Sequence, residues 1–173
     1  MIVLPPAAGD HPTPALIRRL ACFVYEGILL FGVVMAAGLV YSLATNQRSA
    51  LQGQLGLQVF LFLVFGLYFV WFWSRTGQTL AMQTWHIRLV QRDGQPVSVG
   101  RGIVRYLVCW VWFLPWLAIA HFAGLHSNGQ VFGLLTLGIV VWAALSRLHP
   151  DRQFWHDALC GTRLVAWRAK SKD

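Results

Sequence analysis

Four apolar runs stand out along the chain, each with few polar interruptions. The first extends from about Leu20 to Ala44 and holds one charge, Glu26. The second runs from about Leu55 to Trp73, with Gln58 its one strongly polar residue. The third runs from about Gly102 to Phe122, with Arg105 near its start and Pro115 inside it. The fourth, about Val131 to Leu148, is the shortest and carries Arg147 at its end. Roughly 20 mostly apolar residues in a helix cross about 30 Å of hydrocarbon, so all four read as transmembrane helices. A re-entrant segment is the competing reading of the fourth. Ser42-Leu43-Ala44 has the small residues of a leader cleavage site. The run before it is far longer than the roughly 7–15-residue core of a signal peptide, so it is expected to stay as a span.

Details within the runs predict local features. Pro115 lacks a backbone donor and predicts a kink. Trp71 and Trp73 close the second run and suit an interfacial belt. Trp110, Trp112 and Trp116 suit packing better than a ligand cage. Gly32 and Ala36, four apart, offer a close helix contact.

The connection between the second and third runs has a different period. Trp85-His86-Ile87-Arg88-Leu89-Val90 alternates apolar and polar side chains, as a half-buried strand does. Arg92-Asp93-Gly94-Gln95 has turn chemistry, and Pro96-Val97-Ser98-Val99 is a short returning strand. A hairpin follows from this pattern. Two strands alone are marginal in water, so Thr162–Trp167 is the expected third strand. Gln78–Gln83 and Pro150–Cys160 predict short interfacial helices, the latter with Phe154, Trp155 and Leu159 on its apolar side and Gly161 as its stop. The expected fold is therefore an all-α membrane protein. It has four transmembrane helices, a small cytoplasmic β-hairpin or three-stranded element, and interfacial helices. Residues 1–14 read as an N-terminal tail, 15–167 as the transmembrane domain and 168–173 as a basic C-terminal tail.

Composition narrows the class. Of 173 residues, 57% are hydrophobic and 12% are charged, about half the charged fraction of a soluble domain. That excludes a disordered chain and a coiled coil, and it argues against a water-soluble enzyme. A net charge of +8 would suggest nucleic acid in a soluble protein. Its placement removes that reading. Two basic residues precede the first span, Arg48 alone lies between the first and second, and five go with the second connection. None lies between the third and fourth spans, and six follow from the end of the fourth. Thirteen of the fourteen thus fall on one side. Lys and Arg are retained in the cytoplasm, so both termini and the middle connection are expected there. The expected partners are the lipid bilayer and a homo-oligomer or partner membrane protein, with no nucleic acid.

Cys22, Cys109 and Cys160 have no paired spacing, and neither C-x-x-C nor H-E-x-x-H occurs. No metal, cofactor or catalytic nucleophile is expected. His149, Asp151 and His156 have ligand chemistry but nothing in their spacing that sets a geometry. His156 and Asp157 are adjacent, and helix neighbours project about 100° apart, so adjacency does not make them a relay.

Glu26 is the most informative residue. A carboxylate at mid-membrane costs roughly 2.5–3.5 kcal/mol on insertion scales, less near the interface, and Glu26 is about two turns in. Arg19 lies on the same face, about 10.5 Å away along the axis. Asp157 in the C-terminal segment is a candidate third member. Two readings stay open: a buried network pinning the first helix to the tail, or a working ion or substrate site. A third has Glu26 facing a water-filled crevice. Arg101 and Arg105 share a face at the entry to the third span, as topology anchors or as contacts for anionic lipid head groups.

Several local patterns occur in order. They are Arg19-Leu20-Ala21 followed by Glu26, Gly77-Gln78-Thr79 leading to Ile87-Arg88-Leu89-Val90, the Asp93-Gly94 turn, and Trp155-His156-Asp157 leading to Gly161-Thr162. The ordered set resembles the RDD family of small bacterial membrane proteins, named for an arginine and two aspartates, over roughly residues 14–167. Arg19 matches the arginine and Asp157 the second aspartate. Glu26 stands where the first aspartate would be, keeping the charge with one more methylene. Ala81 stands where the family usually has glycine. The resemblance implies a bacterial inner-membrane protein. It also implies transport, with cation/proton exchange suggested for some members, and a charged site at Arg19, Glu26 and Asp157. Four spans are few for a transporter acting alone, so transport implies an oligomer. The alternative is a non-transporting scaffold or accessory protein that binds another membrane protein or anionic lipid.

Overall fold

The apolar runs build four helices long and apolar enough to cross a membrane. A computed structural model describes residues 12–45 and 54–167. Leu16–Thr45 forms α1 and Gln54–Arg75 forms α2. The third span is broken into α4 (Val99–Cys109) and α5 (Leu114–Phe122), joined by a tight 3-10 turn at Trp110–Trp112. Pro115 gives the reason. It offers no N–H to the carbonyl of Val111, so the regular ladder cannot run through this point. The fourth span is α6 (Asn128–Leu145), extended to Leu148 by a further 3-10 turn.

Between the spans lie α3 (Leu80–Thr84) and β1 (Ile87–Gln91), and after them come α7 (Trp155–Leu159) and β2 (Thr162–Ala166). β1 pairs antiparallel with β2, in the register Ile87↔Ala166, Leu89↔Leu164 and Gln91↔Thr162. The C-terminal strand is therefore the partner of β1, and the hairpin expected through Pro96–Val99 does not form. Asp93-Gly94 does turn the chain, with Gly94 at φ 84° and the Gln91 amide donating to the Gln95 carbonyl at 2.9 Å. Pro96 has no amide to give a ladder. Ser98 instead caps α4, its hydroxyl accepting from the Arg101 amide, and Val99 is already helical.

The polar connections meet at one end. The Ala166 amide donates to the Pro12 carbonyl at 2.9 Å, and the Trp167 amide to the His86 carbonyl at 2.8 Å. The Leu89 amide donates to the Gly77 carbonyl at 2.7 Å. Gly77 sits at φ 72°, and a Cβ there would lie 2.7 Å from the Leu89 carbonyl oxygen, so this clasp of α2 to β1 requires glycine. The core lies at the same end and includes Trp73, Ala81, Ile87, Leu89, Val97, Tyr106, Trp112, Phe154 and Leu164. Every described arginine lies at this end too.

Farther along the spans, contacts are sparser and large apolar side chains such as Phe31, Leu63, Leu67 and Phe132 are exposed, as lipid-facing surface requires. α2 packs against α4, and the Tyr106 hydroxyl donates to the Phe62 carbonyl at 2.7 Å. α5 meets α6 where the Trp116 indole lies against Gly138, leaving no room for a Cβ. The expected close contact at Gly32 and Ala36 is absent among the described residues: a Cβ on Gly32 would meet nothing within 4 Å. The outer half of α1 touches α2 through Tyr41 and Phe60 instead, ring centroids 5.3 Å apart.

Candidate functional site

Arg105 sits two turns into α4 and points inward. Its Nε donates to Asp157 Oδ1 at 2.7 Å, and its Nη2 reaches the same oxygen at 2.7 Å. Asp157, on α7, is 0% exposed. The Arg105 guanidinium also lies over the Trp73 ring, 4.1 Å from its centroid. Trp73 is thus a core residue rather than part of an interfacial belt. Trp71 does stay exposed, beneath the Arg75 guanidinium at 4.8 Å. Burial acts to raise the Asp157 pKa, but the Arg105 charge outweighs it and holds the carboxyl below its ordinary value.

His156 is next to this pair. Its Nδ1 accepts from the Trp112 indole N–H at 3.0 Å, which puts the ring proton on Nε2. That nitrogen lies 3.4 Å from Asp157 Oδ1, so the two neighbours do meet, against the expectation from helical projection. α7 is only five residues long, and both side chains are drawn into the same buried pocket. Burial lowers the His156 pKa to about 4, so the ring is neutral at physiological pH. Of the apolar side expected for α7, Phe154 turns into the core while Trp155 and Leu159 remain exposed.

Glu26 is held elsewhere. Its Oε1 accepts from the Tyr68 hydroxyl on α2 at 2.7 Å, and its Oε2 accepts from the Thr79 hydroxyl. Thr79 is the N-cap of α3, and its oxygen also accepts from the Met82 amide at 3.3 Å. One carboxylate therefore ties α1 to α2 and to the cap of α3. Glu26 is 8% exposed, and among the described residues no basic side chain makes an ion pair with it.

Arg19 is 4% exposed. Its guanidinium lies over the Phe154 ring at 4.4 Å. Its Nε and Nη1 are buried without a hydrogen-bond partner. Arg19, Glu26 and Asp157 are consequently not joined by hydrogen bonds or ion pairs, although Asp157 acts on Arg19 through space. Asp157 belongs to Arg105, Glu26 to two hydroxyls, and Arg19 to an aromatic face. What joins Arg19 to Glu26 is space: both line a cavity of about 440 Å³ between α1, α2 and the broken third span. Its other walls are mostly aromatic, including Phe65, Phe69, Trp110 and Phe113.

Arg101 and Arg105 part company. Arg101 is exposed, with Nη1 donating to the Gly161 carbonyl at 3.3 Å. Arg105 is turned away from any head group. Sequence reasoning also missed Tyr68, Thr79 and Trp112 as partners. Thr79 carried a signal, since a threonine before a short apolar run is a helix cap. Tyr68 and Trp112 carried none beyond a polar atom on an aromatic ring in an apolar span.

A family model described as the RDD family matches residues 13–161. The chain belongs to the RDD family. The matched stretch of this RDD family protein includes Arg19, Glu26, Arg105 and Asp157, and thus both the buried pair and the charged wall of the cavity. No curated protein matches the chain, and no solved structure matches it.

Proposed function

We propose that this RDD family protein is a small carrier, or a carrier subunit, of the bacterial inner membrane, with both termini in the cytoplasm. On this reading it is not an enzyme. A small solute or ion occupies the cavity between α1, α2 and the broken third span. Arg19 supplies its polar contact and Glu26 sets the charge of the deeper wall, while Arg105 and Asp157 anchor the tail to the bundle. The observation that carries this reading is the cavity itself. About 440 Å³ of space, within the range of small-ligand pockets, reaches three buried charged side chains, Arg19, Glu26 and Arg105, of which Arg19 and Glu26 make no ion pair among the described residues. The one-sided arginine distribution supports the orientation. Carriage by four spans runs through an oligomer.

Purified protein in vesicles, loaded with a trapped pH-sensitive dye and challenged with inorganic ions and small amphiphilic solutes, tests the reading. Solute-dependent ion movement above empty vesicles is expected, with loss in Glu26→Gln. No movement, or equal movement in the variant, overturns it.

One observation favours a second reading, an accessory protein. The outer part of α1 leaves Phe31, Met35 and Leu39 exposed among the described residues. Affinity purification from native membranes then yields a stoichiometric membrane-protein partner. Recovery of this chain alone counts against it.

A further inference from the structure

Arg19 has the chemistry of a binding group left open. A guanidinium offers five N–H donors, and burial without partners is unfavourable for them. Here Nε and Nη1 are both buried and unpartnered. The nearby charges are otherwise accounted for. Arg105 is matched by Asp157, His156 accepts from Trp112 on one ring nitrogen, and Glu26 takes one hydroxyl on each oxygen. Asp157 Oδ2 also lacks a hydrogen bond, but it makes no ion pair with Arg19. Asp157 acts on Arg19 through space, but among the described residues no acid makes an ion pair with Arg19. The remaining wall is mostly aromatic and aliphatic, with Thr79, Cys22 and Cys109 among its other polar or sulfur side chains, too few oxygens to replace the hydration shell of a small inorganic ion.

We propose that the cavity binds a lipophilic carboxylate, its head at the Arg19 guanidinium and its apolar body among Phe65, Phe69, Trp110 and Phe113. This deepens the carrier reading and rests on it for the cavity being a binding site. A single negative charge suits a single unmatched guanidinium. A phosphate monoester brings about −1.5 to −2 at neutral pH and exceeds it. Glu26, about two turns deeper along α1, repels the head and so keeps it at the Arg19 end. The body passes Glu26, whose oxygens are already engaged.

Trp73, Trp110 and Trp112 line the cavity and report on occupancy. The full chain in non-ionic detergent is titrated with a medium-chain fatty carboxylate carrying a terminal bromine, a contact quencher of indole. The matched brominated alcohol is the control. Saturable quenching by the carboxylate alone is expected. Unbrominated fatty carboxylate should relieve it in the wild-type protein, and an alkyltrimethylammonium of equal length should not. Arg19→Met should weaken binding by about tenfold or more, and Arg19→Lys should retain most of it. Equal quenching by the alcohol, no relief by the unbrominated carboxylate, or unchanged affinity in a folded Arg19→Met protein each overturns the proposal. The competition arm needs no variant and stands if Arg19→Met fails to fold. Carboxylate binding without vesicle flux defeats carriage but not the ligand class. Glu26-dependent flux without carboxylate binding defeats the ligand class but not carriage.

Discussion

Replacing Asp157 by Asn keeps the shape of the side chain and removes its charge. Asp157 Oδ1 receives both Nε and Nη2 of Arg105 at 2.7 Å, and the residue is wholly buried. The variant leaves the Arg105 cation with Trp73 beneath it and no counter-charge. Removing one member of a buried pair costs about 3–5 kcal/mol, against about 0–1 kcal/mol for an exposed pair. The larger figure applies because Arg105 is itself buried, 6% exposed. The assay is chemical unfolding in mild detergent, followed by fluorescence from Trp73 and Trp112. A drop of about 3 kcal/mol or more is expected. The double variant Arg105→Met/Asp157→Leu should recover much of the loss, since apolar replacement of a whole buried pair is often close to neutral. An Asp157→Asn protein within about 0.5 kcal/mol of wild type, in the range of ordinary surface substitutions, refutes the anchoring role.

Three further outcomes follow. Thr79→Ala removes both the cap of α3 and one hydroxyl on Glu26, and should cost about 1 kcal/mol for the cap plus about 1–3 kcal/mol for the unsatisfied carboxylate oxygen. Thr79→Ser should restore most of this in the same unfolding assay. Gly138→Leu drives a side chain into the Trp116 indole and should destabilise by about 1–3 kcal/mol, with a changed near-ultraviolet circular dichroism signal. For His156 the folded pKa of about 4 lies below its ordinary value. The unfolded chain therefore takes up a proton first as pH falls below about 6.5. Stability should decline between there and pH 4 and be flat above. In His156→Gln that decline should be reduced, as read from unfolding midpoints across the pH series.

The spans were legible because apolar length alone specifies them, and Pro115 announced the break in the third. The arginines showed which connections share an end, because retention depends on position along the chain and not on folding detail. The returning strand was misread at Pro96–Val99. Period-two alternation over four residues is the same in a strand and in a loop entering a helix, and the Ser98 cap decided between them. The pairing of charges was not legible at all. Arg19 and Glu26 share a helix face, yet each side chain finds its neighbours on other elements, Phe154 for one and Tyr68 and Thr79 for the other. Asp157 meets Arg105 across 52 residues of sequence, and only tertiary packing selects that arginine over Arg101, one turn earlier. The cavity left between Arg19 and Glu26 depends on where α1 stands against the broken span, which no local pattern encodes.

The most direct test of the central claim is solute-driven flux in proteoliposomes containing the wild type, Glu26→Gln, or Arg101→Gln. Arg101 lies outside the cavity and controls for loss of surface charge. Carriage through the cavity predicts flux well above empty vesicles for the wild type and Arg101→Gln, and flux at the empty-vesicle level for Glu26→Gln. Equal flux in wild type and Glu26→Gln, or none in any of the three, contradicts it.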